Sequence, residues 1–365
     1  GKNKKNVHSF RQVFLQLLGD LTQGHLYPFS FLYAIFTNIR NLLFDIGILS
    51  SKSFRIPIIC IGNLSLGGTG KTPLVLYIIS VLKDYNIAIL SRGYGRNTNN
   101  YIEVDIESKI SNVGDEPLLI KQKNPDCIVA VDGNRKRGIL NIIKAHPKID
   151  IIILDDGFQH RSIKAGLNII TTNYNLPYYK NFLIPMGTLR ESKKGSERAD
   201  IIVVSKCPKD LNPTEKKGII QQLGVFITQR SYFSHTEYKD LKCLKTDANF
   251  ILEKDYKIIL VTGIANSISL LEKLEQDYSV SHIKYKDHHN YNINDINDII
   301  VKYKKDISLK KIILTTEKDA VKLKCYKKEL INTNIYYIPI ETEFEDKNNF
   351  NKKILKYAET NKRDC

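Results

Sequence analysis

Short apolar runs alternate with longer segments of helical periodicity along most of the chain from residue 56 onward. In the first part, the runs predict a helix from about Lys71 and strands at residues 56–61, 87–90, 127–131, 151–154, 168–171 and 201–205. In the second part, they predict helices near residues 267–276 and 293–303 and strands at residues 258–262, 312–315 and 335–340. Such alternation is typical of a mostly parallel sheet flanked by helices, so the pattern predicts an α/β fold.

One long interruption divides this alternation into two parts. Residues 211–257 are irregular and rich in lysine, and we interpret them as a linker. The linker joins a core at residues 56–210 to a smaller second α/β lobe at residues 258–365. The chain length of 365 residues suits two domains of ordinary size.

The first 55 residues form a third region of different character. They carry seven basic and two acidic residues, and residues 26–49 are densely apolar. On a helix, the apolar side chains and the polar ones occupy separate arcs, the polar arc consisting of Ser30, Thr37, Asn38, Asn41 and Asp45. Two interpretations remain open: an amphipathic helix packed on the protein's own core, or a helix lying in a membrane interface.

The charge balance narrows the class of partner. Lys and Arg number 55 against 39 Asp and Glu, which gives a formal net charge of +16. A basic protein suits nucleic acid, an anionic lipid or a phosphorylated substrate. A nucleic-acid groove would combine basic residues with interleaved aromatic ones, and no module of this kind is recognisable. We therefore expect no nucleic acid partner.

The strongest chemical signal is a glycine-rich turn between a predicted strand and a predicted helix. Positions 58–72 read IICIGNLSLGGTGKT. Glycines let backbone N–H groups converge on phosphate oxygens, and the helix N-terminus adds positive potential. Ser65 replaces the first glycine of the usual GxxxxGK[ST] pattern. The sequence predicts a phosphate-binding loop in which Lys71 reaches the β and γ phosphates and Thr72 ligates Mg²⁺, in preference to a glycine-rich turn of structural role only.

Two adjacent carboxylates follow another predicted strand. Asp155 and Asp156 come directly after the apolar run 151–154. The carboxyl ends of parallel strands share one edge of a sheet, which is where phosphate-binding folds hold Mg²⁺. Taken alone, the pair reads as a polar turn. Together with the phosphate-binding loop upstream, it predicts a magnesium site.

A second acidic pair, Asp115 and Glu116, precedes Pro117 in a predicted helix start. These acids suit a helix N-terminus, where they would have a capping role only. The alternative is that Asp115 accepts the proton of an attacking hydroxyl group. The local sequence leaves both open.

Other candidate groups are less specific. His288 and His289 follow Asp287, a cluster suited to acid–base work but more often found on a surface. Arg190 lies in a loop that suits either phosphate contact or simple solvation.

The absence of a guanine-recognition motif indicates which nucleotide the chain binds. A GTPase would carry Asn/Thr-Lys-x-Asp after a strand, whereas Pro208 stands where that Asp belongs. This favours ATP over GTP. The alternative class is a GTP-dependent switch or metallochaperone with the same phosphate-binding loop.

Taken together, these motifs resemble the tetraacyldisaccharide 4′-kinase (lipid A 4′-kinase) family. The matching segments occur in order along most of the chain: GNLSLGGTGKTP at 62–73, SRGYGR at 91–96, VGDEP at 113–117, DDGFQHR at 155–161, GTLRE at 187–191, RADIIVVSK at 198–206, VTGIANS at 261–267, DHHNY at 287–291 and TTEKDAVKL at 315–323. Each segment alone is modest, but nine in order are specific.

The resemblance implies a P-loop NTPase-like kinase with an N-terminal amphipathic helix. It implies ATP-dependent phosphorylation of the 4′-hydroxyl of a tetraacylated glucosamine disaccharide 1-phosphate, which forms lipid IVA in lipid A biosynthesis. It also implies peripheral contact with anionic membrane at the cytoplasmic face of the bacterial inner membrane.

The resemblance further implies a set of site residues. The catalytic group would comprise Asp115 as base, His288 as its partner, Lys71 and Arg190. The metal group would comprise Thr72, Glu116, Asp155 and Asp156. The nucleotide would be held by Ser65, Leu66, Gly67, Gly68, Thr69, Gly70, Lys71, Thr72 and Gln159. Whether His288 or His289 is the working histidine stays open.

Overall fold

The structure, a computed structural model, describes residues 26–361. Residues 1–25, the first part of the predicted membrane-interface segment, lie outside this range. The strands are β1 (Ile58–Asn63), β2 (Ile87–Ser91), β3 (Ile102–Glu103), β4 (Ile128–Val131), β5 (Ile151–Asp155), β6 (Leu167–Asn173), β7 (Ile201–Ser205), β8 (Arg230–Tyr238), β9 (Leu241–Cys243), β10 (Asn249–Phe250), β11 (Lys257–Thr262), β12 (Ser279–Lys284), β13 (Lys311–Thr316), β14 (Ile335–Ile338) and β15 (Ile340–Phe344).

Ten α-helices lie within the described range. They are α1 (Tyr27–Asp45), α2 (Lys71–Val81), α3 (Ile110–Val113), α4 (Asp115–Lys123), α5 (Arg135–Ala145), α6 (Pro213–Leu223), α7 (Ile268–Glu275), α8 (Ile293–Lys305), α9 (Glu317–Leu323) and α10 (Lys347–Thr360). The predicted alternation of strands and helices is confirmed.

The larger sheet has nine strands within residues 26–361, in the order β15-β8-β7-β6-β1-β5-β2-β4-β3. The strands from β8 to β4 run parallel, and β15 and β3 are antiparallel at the two edges. Alternate side chains of β1 enter two apolar clusters, with Ile59 and Ile61 in one and Ile58 and Cys60 in the other. Burial on both faces explains why the central strands read as continuous apolar runs.

The smaller sheet has six strands in the described part of the chain, in the order β10-β9-β14-β13-β11-β12. Strands β14, β13, β11 and β12 are parallel, whereas β9 pairs antiparallel with both β14 and β10. Its central strand β11 also places alternate residues in two clusters, with Ile259 and Val261 in one and Ile258 and Leu260 in the other. The second sheet therefore has its own core.

Residues 211–257, which the sequence predicts as an irregular linker, contain α6 and strands β8, β9 and β10, and β9 and β10 belong to the smaller sheet. Sheet membership also differs from the predicted division at β8 and at residues 335–340. Strand β8, inside the predicted linker 211–257, pairs with β7 of the larger sheet. The apolar run 335–340 is not one strand: β14 ends before Pro339 and β15 continues in the other sheet. Helix α10 then packs on the larger sheet through Phe350 and Ile354. Proline lacks the N–H of a sheet ladder, so it suits the change of sheet, but no local pattern says which sheet a strand joins.

Helix α1 docks on the larger lobe through its polar side. Ser30 donates to the backbone oxygen of Leu183 at 3.1 Å, and Asn41 donates to Glu191 at 3.0 Å. The opposite side exposes large apolar side chains, namely Phe29, Phe31, Leu32, Phe36, Ile39 and Leu42, each more than half exposed. These side chains therefore do not pack on the protein's own core. No helix among residues 26–361 is long and apolar enough to cross a membrane.

Candidate active site

The phosphate-binding loop connects β1 to α2 at the centre of the larger sheet. Gly67 and Gly70 have positive φ angles of 95° and 78°, which glycine adopts without strain. The loop is tied to a second segment by two backbone hydrogen bonds, from Leu66 N to Thr188 O and from Arg190 N to Leu64 O, each 2.7 Å long. Ser65 lies between them, in a bridge to Leu189. The loop and the Arg190 segment are thus held side by side.

Buried polar side chains support the far end of the loop. Thr69 Oγ1 accepts from Asn63 Nδ2 at 2.8 Å and lies 2.8 Å from Thr171 Oγ1. Lys206 Nζ donates to Gly68 O at 2.8 Å. These contacts hold the far end of the loop in a defined conformation.

Lys71 and Arg190 converge on one carboxylate. Arg190 Nη1 donates to both oxygens of Asp156, at 3.0 and 2.9 Å, and Lys71 Nζ lies 3.5 Å from Asp156 Oδ1. Burial alone would raise the pKa of Asp156, but the charges of Lys71 and Arg190 outweigh it and hold the pKa below its usual range. The structure therefore brings together two cations and an ionised carboxylate beside the loop.

Asp155 lies deeper than its neighbour and is buried at the end of β5. The register pairs it with Ile61 of β1, directly before the phosphate-binding loop. Ser91 Oγ donates to Asp155 Oδ2 at 3.1 Å, and Oδ1 has no hydrogen-bond partner within residues 26–361. Burial, with the nearby charges of Glu116 and Asp156, raises the pKa of Asp155 above its usual range.

The carboxylates fit Mg²⁺ in the manner of nucleotide-dependent enzymes. Across the described residues, no group of three or more His, Cys, Asp or Glu could hold a metal ion. Kinases typically bind Mg²⁺ through one or two carboxylates together with substrate phosphates, so a partial protein set is expected. A buried carboxylate oxygen without a partner, as at Asp155, suits a cation. The metal assignment stays a prediction.

Gln159 contacts both the last residue of β1, just before the phosphate-binding loop, and the Arg190 segment. Its amide nitrogen donates to Asn63 O at 2.7 Å and to Glu191 Oε1 at 3.1 Å. Its amide oxygen accepts from Arg190 Nη1 at 3.3 Å. The amide group is therefore engaged with the protein on both sides, and its predicted contact with the nucleotide stays a prediction.

Asp115 is the first residue of α4 and is 4% exposed. Its Oδ2 lies 3.1 Å from His288 Nδ1 and 3.0 Å from Lys322 Nζ, both from the smaller lobe. Burial alone would raise the pKa of Asp115, but the hydrogen bond with His288 and the charges of Lys318 and Lys322 hold the pKa well below its usual range. Asp115 is thus kept as a carboxylate where the two lobes meet.

The two adjacent histidines have different surroundings. His288 has a positive φ of 55° and also contacts the ring of Tyr94, with ring centroids 5.0 Å apart. His289 Nε2 lies 2.9 Å from Asp295 Oδ2, and its ring stacks on Tyr285. His288 is therefore the histidine in contact with Asp115.

Lys318 and Lys322 were missed as site residues in the sequence. Lys318 Nζ donates to Glu116 Oε1 at 2.8 Å and lies 3.1 Å from His288 Nε2. Both lysines lie on α9, four positions apart, and so share one helix face. That spacing is visible in TTEKDAVKL, but nothing in the sequence says that this face meets Asp115.

A cleft of about 700 Å³ joins these groups between the lobes. The phosphate-binding loop lies on one side and the smaller lobe on the other. Its lining includes most of the predicted site residues, namely Leu66, Gly67, Gly68, Thr69, Gly70, Lys71, Thr72, Glu116, Asp156, Arg190 and His288. One concave site therefore contains a phosphate cradle, cations and carboxylates.

This fold and site define a nucleotide-binding α/β protein of the phosphate-binding-loop class. The model of the family described as LpxK, tetraacyldisaccharide-1-P 4′-kinase, matches residues 22–359. The chain belongs to this family and is a phosphotransferase.

Similar proteins and a solved structure agree with the family. The tetraacyldisaccharide 4′-kinase of Bacteroides fragilis (strain YCH46) is 40% identical over 352 residues, covering 93% of this chain and 94% of that protein. The enzyme of the same name from Flavobacterium psychrophilum is 41% identical over 340 residues, covering 92% and 96%. A crystal structure of LpxK from Aquifex aeolicus in complex with ATP has a TM-score of 0.73 and 28% identity, and covers 92% of this chain and 99% of that chain.

Proposed function

We propose that the chain transfers the γ-phosphoryl group of ATP to the 4′-hydroxyl of a tetraacylated glucosamine disaccharide 1-phosphate, a step of lipid A biosynthesis. The family and the names of its relatives support the reaction. The ATP complex of the Aquifex aeolicus protein supports the nucleotide. The observation that carries the proposal is the 3.1 Å contact of Asp115 with His288, which lines the same cleft as the phosphate-binding loop.

The phosphate-binding loop would hold the nucleotide. Backbone N–H groups of residues 65–70 and the N-terminus of α2 present positive potential to the phosphates. Lys71 and Arg190, which share Asp156 in this structure, would stabilise negative charge on the transferred group. Binding of a phosphate would thus exchange one anionic partner of each cation for another.

Asp115 would act as the base. A sugar hydroxyl is a weak nucleophile, and its proton must leave as its oxygen bonds to the γ phosphorus. In the proposed step, the Asp115 carboxylate takes the proton of the 4′-hydroxyl, the new O–P bond forms, and the bond from the γ phosphorus to the leaving oxygen of ADP breaks. His288 would orient the carboxylate through the 3.1 Å contact.

Four side chains would hold Mg²⁺ together with the nucleotide phosphates: Thr72, Glu116, Asp155 and Asp156. When bound, the ion neutralises phosphate charge. The unpartnered Oδ1 of Asp155 supports this assignment. Bound cations also reverse the local effect on pKa, so Asp155 would ionise in the loaded enzyme.

Transfer of labelled phosphate tests the reaction. The full chain is incubated with γ-labelled ATP and a lipid A disaccharide precursor in a detergent that keeps the lipid accessible. We expect a labelled lipid product, formed about 10²- to 10⁴-fold more slowly by Asp115→Asn. Absence of transfer by the unmodified chain would overturn the proposed function. In a parallel thermal-shift assay we expect stabilisation by ATP above that by GTP, and the reverse would favour a GTP-dependent switch.

We further propose that α1 lies in the interface of an anionic membrane, at the cytoplasmic face of the bacterial inner membrane. Exposed aromatic and aliphatic side chains on one face of a helix are typical of such a contact. The polar face of α1 reaches the active-site loop, since Tyr33 donates to Arg190 O at 2.8 Å and Arg40 to Gln159 O at 2.8 Å. A lipid substrate at α1 would therefore be next to the transferred phosphate.

Vesicle co-sedimentation tests this contact. We expect the full chain to bind vesicles that contain phosphatidylglycerol, and Phe36→Ser to bind about tenfold more weakly, since Phe36 is 69% exposed. Ile307→Ser is the matched control, because Ile307 is 96% exposed but lies in the smaller lobe. Equal binding by Phe36→Ser and the unmodified chain would contradict the proposal.

A further inference from the structure

Two lysines of helix α9, Lys318 and Lys322, lie close to the Asp115 carboxylate. Lys322 Nζ lies 3.0 Å from Asp115 Oδ2, and both side chains are only 5% exposed. Lys318 Nζ lies 4.0 Å from the same oxygen, 2.8 Å from Glu116 Oε1 and 3.1 Å from His288 Nε2. Both lysines therefore lie near Asp115 Oδ2, but only Lys318 also contacts Glu116 and the histidine ring.

The contact between Lys318 and His288 determines where the ring proton lies. A lysine ammonium has three N–H donors and no acceptor. His288 Nε2 must then be the acceptor, which requires the nitrogen without a proton. In a neutral imidazole the proton is then on Nδ1, the nitrogen that faces the Asp115 carboxylate at 3.1 Å. Both contacts of the ring are attractive in this tautomer alone.

The other states of the ring conflict with its neighbours. A proton on Nε2 alone would point at the ammonium of Lys318 and leave the Nδ1 lone pair against a carboxylate oxygen. An imidazolium would place two positive N–H groups 3.1 Å apart. Other charged groups near the ring are Asp287, whose Oδ2 lies 3.9 Å from Nε2, and Lys322 beyond the Asp115 carboxylate. Asp287 would favour a proton on Nε2, and the shorter contact of Lys318 opposes it.

We propose that Lys318 is a positioning residue for phosphoryl transfer, which holds His288 in the neutral Nδ1–H tautomer and thereby fixes the Asp115 carboxylate. This inference rests on the proposed role of Asp115 as base. Oδ2 then faces the N–H of His288 and the ammonium of Lys322, while Oδ1 accepts the backbone N–H of Glu116 at 2.9 Å. Among the described residues Oδ1 accepts one hydrogen bond, so a second lone pair remains for the substrate hydroxyl.

The tautomer can be read directly from the ring nitrogens. The full chain is labelled with ¹⁵N-histidine, and the His288 signals are identified by their loss in His288→Gln. We expect a protonated Nδ1 and an unprotonated Nε2 in the unmodified chain. In Lys318→Met we expect a proton on Nε2 as well as on Nδ1, because the ammonium no longer opposes Asp287 while Asp115 still faces Nδ1. A protonated Nε2 in the unmodified chain, or unchanged signals in Lys318→Met, would overturn the inference.

Kinetics give a second readout. We expect Lys318→Met to lower kcat about 10- to 100-fold, since a small misplacement of a reacting group can cost up to about 10²-fold. The KM for ATP should change much less, because Lys318 does not belong to the phosphate-binding loop. Lys318→Arg retains the cation and should recover part of kcat and the original tautomer. If Lys318→Met fails to fold, as judged by circular dichroism, Lys318→Gln takes its place with the same expectations.

Lys123→Met is the matched control. Lys123 Nζ on α4 pairs with Glu317 Oε1 on α9 at 2.8 Å, so this variant also removes an ion pair between the same two helices. It touches neither Asp115 nor His288, and we expect unchanged His288 signals. Altered signals there would mean that helix docking, not the Lys318 contact, sets the tautomer, which would overturn the inference. The signals are read without substrate, so a failure of the proposed reaction is seen separately, as absence of phosphate transfer by the unmodified chain.

Discussion

Asp115 Oδ2 and His288 Nδ1 lie 3.1 Å apart, although 173 positions separate the two residues in the chain. Asp115 begins a helix that packs on the larger sheet, and His288 lies in a loop of the smaller lobe. The pair therefore exists only while the lobes are in contact. The orientation of the Asp115 carboxylate toward His288 is therefore set by how the two lobes pack.

Replacement of Asp115 tests its role as base. We expect Asp115→Asn to lower kcat about 10²- to 10⁴-fold, because an amide cannot take the proton of the substrate hydroxyl. The Kd for ATP should change little, since Asp115 is not part of the phosphate-binding loop. Single-turnover transfer and ATP titration measure the two quantities. Turnover near that of the unmodified chain would remove Asp115 as the base.

Lys71 should affect both nucleotide binding and transfer. We expect Lys71→Ala to lose at least about 10²-fold in kcat, because a preorganised charge at the transferred group is lost. Stabilisation by ATP in a thermal-shift assay should also shrink. The control is Lys83→Ala, since this lysine lies just beyond the C-terminal end of α2 and outside the cleft lining. If Lys71→Ala kept both the thermal shift with ATP and the kcat of the unmodified chain, the assignment of Lys71 to the nucleotide phosphates would be contradicted.

Strand β1 lies so close to the turn after β5 that there is no space for a side chain at Gly62. A Cβ there would meet Phe158 Cβ at 2.5 Å and the Phe158 backbone nitrogen at 3.0 Å. We expect Gly62→Ala to lower the free energy of unfolding by at least about 2 kcal/mol, measured by urea denaturation. Gly218→Ala is the control, since a Cβ at Gly218 in α6 meets nothing within 4 Å. It should stabilise by about 0.5–1 kcal/mol, and a loss at Gly62 no greater than at Gly218 would refute the packing argument.

His160 should make stability depend on pH. Burial and the charges of Arg135 and Arg92 lower the pKa of His160 from 6.5 to about 4. As the pH falls below about 6.5, the unfolded chain takes up this proton before the folded one, so the folded state loses stability.

The size of this effect is set by the difference in proton uptake. Relative to His160→Gln, the unmodified chain should lose up to about 2 kcal/mol of unfolding free energy between pH 7 and pH 5, and nothing above pH 7.5. Urea denaturation of both proteins at each pH measures the difference. Parallel curves for the two proteins would show that His160 keeps an ordinary pKa.

The local sequence was sufficient to predict those parts of the site that are formed by residues close together in the chain. The phosphate-binding loop follows from consecutive glycines between an apolar run and a helix, and the structure has that turn with Gly67 and Gly70 at positive φ. The two acids after residues 151–154 likewise lie at the end of a buried strand. Such features depend on backbone geometry within a few residues, which composition and periodicity report.

The orientation of α1 was not determined by its pattern. The separation of polar and apolar arcs is the same whether the helix packs on a core or lies in a membrane interface. Contacts of Ser30, Tyr33 and Asn41 with distant loops decide that the polar arc faces the protein. Those loops are more than 140 positions away, so no window of the sequence contains the information.

The sequence by itself determined the α/β class, the phosphate-binding loop and the family, because each rests on residue order. Only the tertiary structure decided that β15 and α10 return to the larger sheet and that Lys318 and Lys322 meet Asp115. The physical reason is that side-chain contacts across two lobes depend on how two separate cores pack together. Helical spacing can place two lysines on one face, but only the packed fold selects the carboxylate that this face meets.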